Sequence, residues 1–156
     1  MKILAVDCSA ICGSICVIDD GLIICESFIN VKLTHSQTLM PMIDSCLKNA
    51  MVDIKDIDAF AVSNGPGSFT GIRIGISLIK GLAMALDKPC IAVSTLEAIS
   101  YNYKGFNATI CSVMDARCNQ LYNAIFKAFD NNITRITQDR AISIDNLKEE
   151  LLNMDD

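Results

Sequence analysis

Short apolar runs of strand length and longer stretches of helical spacing take turns along the chain, and that pattern lays out the elements. Ile3 to Cys8 reads as a buried strand, Gly13 to Ile18 as a second and Leu22 to Val31 as a third, with Asp19-Asp20-Gly21 as the hairpin turn between the last two. From about Ser36 to Met51 apolar positions recur at helical spacing, with Ser36 as a candidate N-cap and Pro41 close enough to the start to be tolerated. Asp58 to Ser63 makes a fourth strand, followed by a glycine-rich turn and a helix running to about Leu86. Cys90 to Val93 makes a fifth strand, and a short helix follows from about Thr95 to Tyr103. This order predicts an α/β fold, a mixed sheet with helices on its faces.

A second round then opens. Ala108 to Asp115 and Gln120 to Ala128 read as strands, Thr134 to Ile142 as a third, and about Ser143 to Asn153 as a helix. Both rounds start with an apolar strand running into an aspartate and a small residue, Asp7-Cys8 in one and Asp115-Ala116 in the other. The pattern is that of a duplicated βββα unit. It predicts a complete lobe over residues 1–104 and a partial second lobe over 105–156, one that looks truncated because its repeat stops after the first helix.

The turn Gly65-Pro66-Gly67-Ser68-Phe69-Thr70 has glycines that permit positive φ, and Ser68 is placed to cap the helix that follows. It lacks the lysine that follows the last glycine of a P-loop, so a structural corner presenting a surface is the favoured reading over a phosphate cradle. In the following helix Arg73, Ser77 and Lys80 form the polar stripe, and the rest is apolar or glycine. Gly71 and Gly75 lie one turn apart, as do Ser77, Gly81 and Ala85, which lets another helix approach closely. The first helix carries an apolar arc wider than a sheet needs. Each such side chain left bare forfeits about 1.5–3 kcal/mol, so a partner surface is expected. Its candidate residues are Met40, Ile43, Leu47 and Met51 with Gly71, Ile72, Arg73, Gly75, Leu78 and Leu82.

Composition narrows the function classes. With 51% hydrophobic residues in 156, the chain can bury a real core, and a net charge of -5 argues against a stand-alone nucleic-acid binder. Its eight cysteines sit mostly in apolar runs with no C-x-x-C spacing, the usage of reduced thiols in a cytoplasmic protein. No signal-peptide or membrane-spanning stretch stands out, so a soluble protein is expected. His35 is the single histidine, which leaves no pair to hold a metal and no Ser/His/Asp or Cys/His constellation. No catalytic or metal-ligating residue is expected, and a hydrogen-bonding role at the helix start suits His35 best.

Paired lobes that each open with strand, aspartate, turn and strand resemble the layout of the actin, sugar-kinase and chaperone ATPase superfamily, a ribonuclease-H-like fold. That resemblance makes Asp7, Ser9 and Asp115 weak candidates for a nucleotide site, weak because the turn after Asp7 holds one glycine, Gly13. Gly65-Pro66-Gly67-Ser68-Phe69-Thr70-Gly71-Ile72-Arg73-Ile74-Gly75 closely resembles the signature of the TsaB (YeaZ) family. Ile3 to Asp7, His35-Ser36, Leu39-Met40-Pro41, Met114 to Arg117 and Leu121-Tyr122 extend the likeness in order along the chain. The departures are Cys8 where threonine is usual, Gln37 where an acid is usual, Cys118-Asn119-Gln120 in place of a more charged turn, and the missing remainder of the second lobe. The resemblance implies a non-catalytic scaffold in tRNA threonylcarbamoyladenosine synthesis. Such a subunit binds the catalytic paralogue TsaD, helps recruit the ATPase TsaE, meets tRNA only through the complex and forms a homodimer when alone. It holds no cofactor of its own, ATP and Mg²⁺ being handled by its partners. An active phosphotransferase or metallopeptidase-like enzyme on the same fold is the alternative.

Overall fold

The computed structural model describes residues 1–31 and 33–154. The chain divides into two compact units, Met1–Val93 and Ser94–Asp156. In the first, β1 (Lys2–Asp7), β2 (Gly13–Asp19), β3 (Leu22–Ile29), β4 (Ala59–Gly65) and β5 (Cys90–Ser94) form a sheet in the order β3-β2-β1-β4-β5. β1 is therefore central, antiparallel to β2 and parallel to β4, with Ile3 opposite Ala59 and Val6 opposite Val62. The β2–β3 hairpin closes at Asp20 and Gly21, whose φ values of 47° and 82° suit the twist of the strands they join.

Two helices, α1 (His35–Ala50) and α2 (Phe69–Ala85), supply the other side of this core. Leu4, Val6 and Cys8 alternate onto one face of β1 and pack in one cluster with Leu39, Ile43 and Leu47 of α1 and Ile79 and Ala83 of α2. The cap of α1 is Thr34 rather than Ser36. Gln37 explains the shift, since its carboxamide oxygen accepts from the Thr34 amide at 3.3 Å and the Thr34 hydroxyl at 3.0 Å. Glutamine thus does at this position what an acid would. β3 ends at Ile29, two residues short of the expected Val31.

The second unit contains α3 (Thr95–Ser100), β6 (Ala108–Arg117), β7 (Gln120–Phe129), β8 (Asn132–Arg135), β9 (Arg140–Ser143) and α4 (Ile144–Leu152). α3 ends at Ser100, and Tyr101–Tyr103 tighten into a 3-10 turn. The division falls before α3, not after residue 104, because its buried Leu96 packs with Ile110, Ala124 and Phe126.

The single strand expected over 134–142 is broken in two, and both pieces pair with β7. Ile136 to Asp139 bulge away opposite Ile125, whose amide donates to the Thr137 hydroxyl at 2.8 Å. The break is held by Arg135, which bonds Asp139 at 2.6 Å, the Ser94 hydroxyl at 2.9 Å and Glu97 at 3.2 Å. Ser94 and Glu97 are remote in sequence, so an alternation pattern alone does not reveal the bulge. Among the described residues no helix is long and apolar enough to cross a membrane.

Candidate functional site

The glycine-rich turn lies directly on the β1–β2 turn. Its Ser68 amide donates to the Ser9 carbonyl at 2.6 Å, and Ser9 is left only 2% exposed. Three glycines make this approach possible. A Cβ on Gly67 would overlap Ser9, one on Gly71 would overlap the Cys8 carbonyl oxygen, and one on Gly75 would overlap the Cys8 sulfur. The Cys8 thiol donates in turn to the Gly71 carbonyl at 3.0 Å.

Ser68 caps α2, its hydroxyl accepting from the Gly71 amide at 3.3 Å. Replacing Ser68 by alanine is expected to cost about 1 kcal/mol of stability, read as a lower urea midpoint with unchanged slope. His35 opens α1, and its Nε2–H donates to the Ala10 carbonyl at 3.0 Å, holding the β1–β2 turn from the side. Its role is therefore the hydrogen bond at the helix start.

The candidate nucleotide residues are engaged locally. Asp7 Oδ1 accepts from the Ser9 amide at 3.0 Å, and Asp115 Oδ1 accepts from the Arg117 amide at 2.7 Å. The same local bond, an aspartate accepting from the amide two residues on, recurs at the end of β1 and near the end of β6, as a repeated βββα unit would have it. Asp115 belongs to the second unit, and Asp7 and Ser9 belong to the first. With Ser9 buried under Gly67 and Ser68, the corner does not fit a bound phosphate or Mg²⁺ unless the motif turn lifts away. Among the described residues no group of three or more His, Cys, Asp or Glu side chains is arranged to hold a metal.

Burial drives the thiols of this core away from ionisation. Desolvation, with the Asp7 charge adding to it, pushes the Cys8 thiol up from 9.0 to about 11. Desolvation and then a hydrogen bond with Cys25 push Cys46 from 9.0 to about 12. A thiol whose pKa is higher folded than unfolded favours the folded state fully below pH 9.0 and progressively less above it. Stability is therefore expected to fall from pH 9.0 to about 11, and Cys8→Ala should flatten part of that fall in urea titrations across the range.

The helix surfaces sort the expected partner residues. Ile43 and Leu47 are buried in the chain's own core, and Gly71 and Gly75 face β1, so these four do not form an outer surface. Ile72, Leu78 and Leu82 are half-buried at the edges of α2. Met40 on α1 is 44% exposed and followed one turn on by an Asp44–Lys48 ion pair of 2.6 Å, and Met51, the left-handed C-cap of the helix, is 92% exposed. On α2 the outward row is Phe69, Arg73, Ser77, Gly81 and Ala85, one residue per turn, and Met84 stands beside it at 84% exposure. The Arg73 guanidinium carbon lies 3.7 Å from the Phe69 ring centroid, so charge and ring are stacked at the head of this row. A Cβ on Gly81 would meet nothing within 4 Å. Ile79 and Ala83 continue the spacing of Gly71 and Gly75 and are buried in the core, which places that row on the inner side of the helix.

A central strand ending in aspartate, a β2–β3 hairpin paired antiparallel to it on one side and a parallel strand on the other is the arrangement of the actin-like ATPase fold. A ROK hexokinase from Thermus thermophilus shares it at a TM-score of 0.51 and 13% identity, a likeness of fold alone. YeaZ from Pseudomonas aeruginosa superimposes at a TM-score of 0.80 with 29% identity, covering 90% of this chain and 67% of that one. The family described as TsaD: tRNA N6-adenosine threonylcarbamoyltransferase matches residues 29–155. Two curated proteins, each named tRNA threonylcarbamoyladenosine biosynthesis protein TsaB, match almost the whole chain. The one from Bacillus subtilis is 33% identical over 99% of this chain and 68% of its own length. The one from Escherichia coli is 33% identical over 98% of this chain and 65% of its own length. The chain belongs to the TsaB (YeaZ) family. It spans about two thirds of the length of these relatives.

Proposed function

We propose that this chain is a non-catalytic scaffold in tRNA threonylcarbamoyladenosine synthesis, binding a TsaD-type catalytic paralogue and, with it, helping recruit a TsaE-type ATPase. The observation that carries the reading is the outward row of α2, in which small residues at Ser77, Gly81 and Ala85 leave the backbone open to a second helix. Exposed Met40, Met51 and Met84 supply deformable apolar surface on the same pair of helices. Without the paralogue the same surface pairs with a second copy. ATP and Mg²⁺ belong to the partners in this reading, since Ser9 is covered and Asp7 Oδ1 accepts from the Ser9 amide within its own turn. Contact with tRNA runs through the complex, in keeping with a net charge of -5.

The alternative, an enzyme using Asp7 at a nucleotide site, makes a different demand. In a reconstituted modification assay with the TsaD-type and TsaE-type proteins, omitting this chain should abolish activity, and Asp7→Ala should retain most of it. Loss of activity with Asp7→Ala while the complex still assembles would favour the enzyme.

A further inference from the structure

The cysteines of the chain differ in what surrounds their sulfurs. Cys90 and Cys118 stand exposed, the Cys8 thiol donates to the Gly71 carbonyl, and the Cys111 sulfur accepts from the Asn123 carboxamide at 3.2 Å. Cys25 and Cys46 meet each other.

Strand register and helix packing bring them together. Cys25 lies directly opposite Val17 in the β2–β3 ladder, and residues so paired share one face of the sheet. That face looks toward α1, since Val17 is fully buried in the cluster that holds Cys46, and Cys25 packs against the same cluster. Cys46 comes down from the helix onto this cross-strand pair. Its sulfur accepts from the Val17 backbone and forms a hydrogen bond with the Cys25 thiol. Cys16, next to Val17 along β2, points to the other face. The two thiols in contact also differ in access: Cys46 is 1% exposed, whereas Cys25, on the edge strand, is half-buried and reachable from solvent.

We propose that Cys25 and Cys46 are a redox-active dithiol, which a small disulfide of the glutathione type converts into a reversible cross-link between β3 and α1. Cys25, as the thiolate, attacks one sulfur of the oxidant; the S–S bond of the oxidant breaks, one glutathione thiolate leaves, and Cys25 is held as a mixed disulfide. Cys46 then attacks the Cys25 sulfur and gives its proton to the second departing glutathione thiolate. Two electrons pass from the protein to the oxidant, which ends as a pair of thiols. Contact between the sulfurs makes this second attack intramolecular. Capping Cys25 also removes its hydrogen bond and its charge, both of which hold the Cys46 thiol protonated. Burial still opposes the Cys46 thiolate, so the second attack is the slow step.

The test incubates the intact folded chain with oxidised glutathione, blocks the remaining thiols and maps the sulfurs by peptide mass spectrometry. The expected product is a Cys25–Cys46 link that dithiothreitol reverses, preceded by glutathione on Cys25. Because the link closes the loop between the two residues, the urea midpoint should rise, and amides of α1 should exchange about tenfold more slowly. Cys46→Ala should stop at the mixed disulfide on Cys25, and Cys25→Ser should leave Cys46 reduced. The serine variant changes a half-buried position and decides the matter if the alanine variant does not fold. Glutathione on Cys90 and Cys118 with Cys25 left free overturns the proposal. So does a Cys16–Cys25 link in place of Cys25–Cys46, or a link that forms only in chain unfolded by urea.

Discussion

Gly71→Ala is expected to destabilise the first unit by about 3 kcal/mol, at the upper end of ordinary overpacking costs. The added methyl would meet the Cys8 carbonyl oxygen, which is backbone and cannot swing aside as a side chain tip can. It would also press on the His35 ring, 3.2 Å from the Cβ position, and so on the hydrogen bond that His35 makes to Ala10. Gly75→Ala presses on a sulfur instead, so Cys8→Ala in the same chain should recover part of its cost. Gly81→Ala is the control on the same helix. Nothing lies within 4 Å of its Cβ position, and the loss of glycine's backbone freedom should stabilise the unit by about 0.5–1 kcal/mol. Urea-dependent hydrogen exchange of the β1 amides reads all of these. Equal effects at Gly71 and Gly81 would mean that α2 does not sit on β1 as described.

Gly81→Leu should leave the fold intact and weaken the proposed pairing with a second copy about 100-fold, or roughly 2.8 kcal/mol. The argument is steric. Helices whose facing positions are small approach to the short end of the 8–10 Å range, and a leucine at the contact forces them apart. Met84→Asp should act in the same direction by a different route, because a carboxylate buried without a partner pays its desolvation in full. Both sites face outward, so circular dichroism of each variant should match wild type, and the urea midpoint of Gly81→Leu should be no lower than that of wild type. Sedimentation at several concentrations separates dimer from monomer. Variants that dimerise like wild type would move the contact off α2.

Much of this was legible in the chain because the determinants are local. Asp20-Gly21 names its own hairpin, Ser68 its own helix start, and the aspartates at the ends of β1 and β6 mark the duplication. The family signature covers the motif turn and fixes the fold with it. What the sequence concealed depends on distant contacts or on the direction of a side chain. Small residues spaced by four say that something comes close, not which side it comes from. Gly75 and Ser77 are two residues apart, about 200° around the helix, so the two small rows of α2 point in opposite directions. One row packs on Cys8 and the other remains outside. Ile43 and Leu47 are likewise absorbed by the core, which leaves Met40 on α1 and Met51 at its C-cap as the exposed apolar pair. The break between β8 and β9 depends on Arg135 reaching Ser94 and Glu97, some 40 positions away, beyond any local pattern.

The outward row of α2 is the proposed contact with the catalytic paralogue, and calorimetric titration of a TsaD-type protein into wild-type chain and into Gly81→Leu probes that contact. Tight one-to-one binding to wild type and affinity at least about 100-fold weaker for Gly81→Leu is the expected result. Equal affinity for both proteins would place the contact elsewhere.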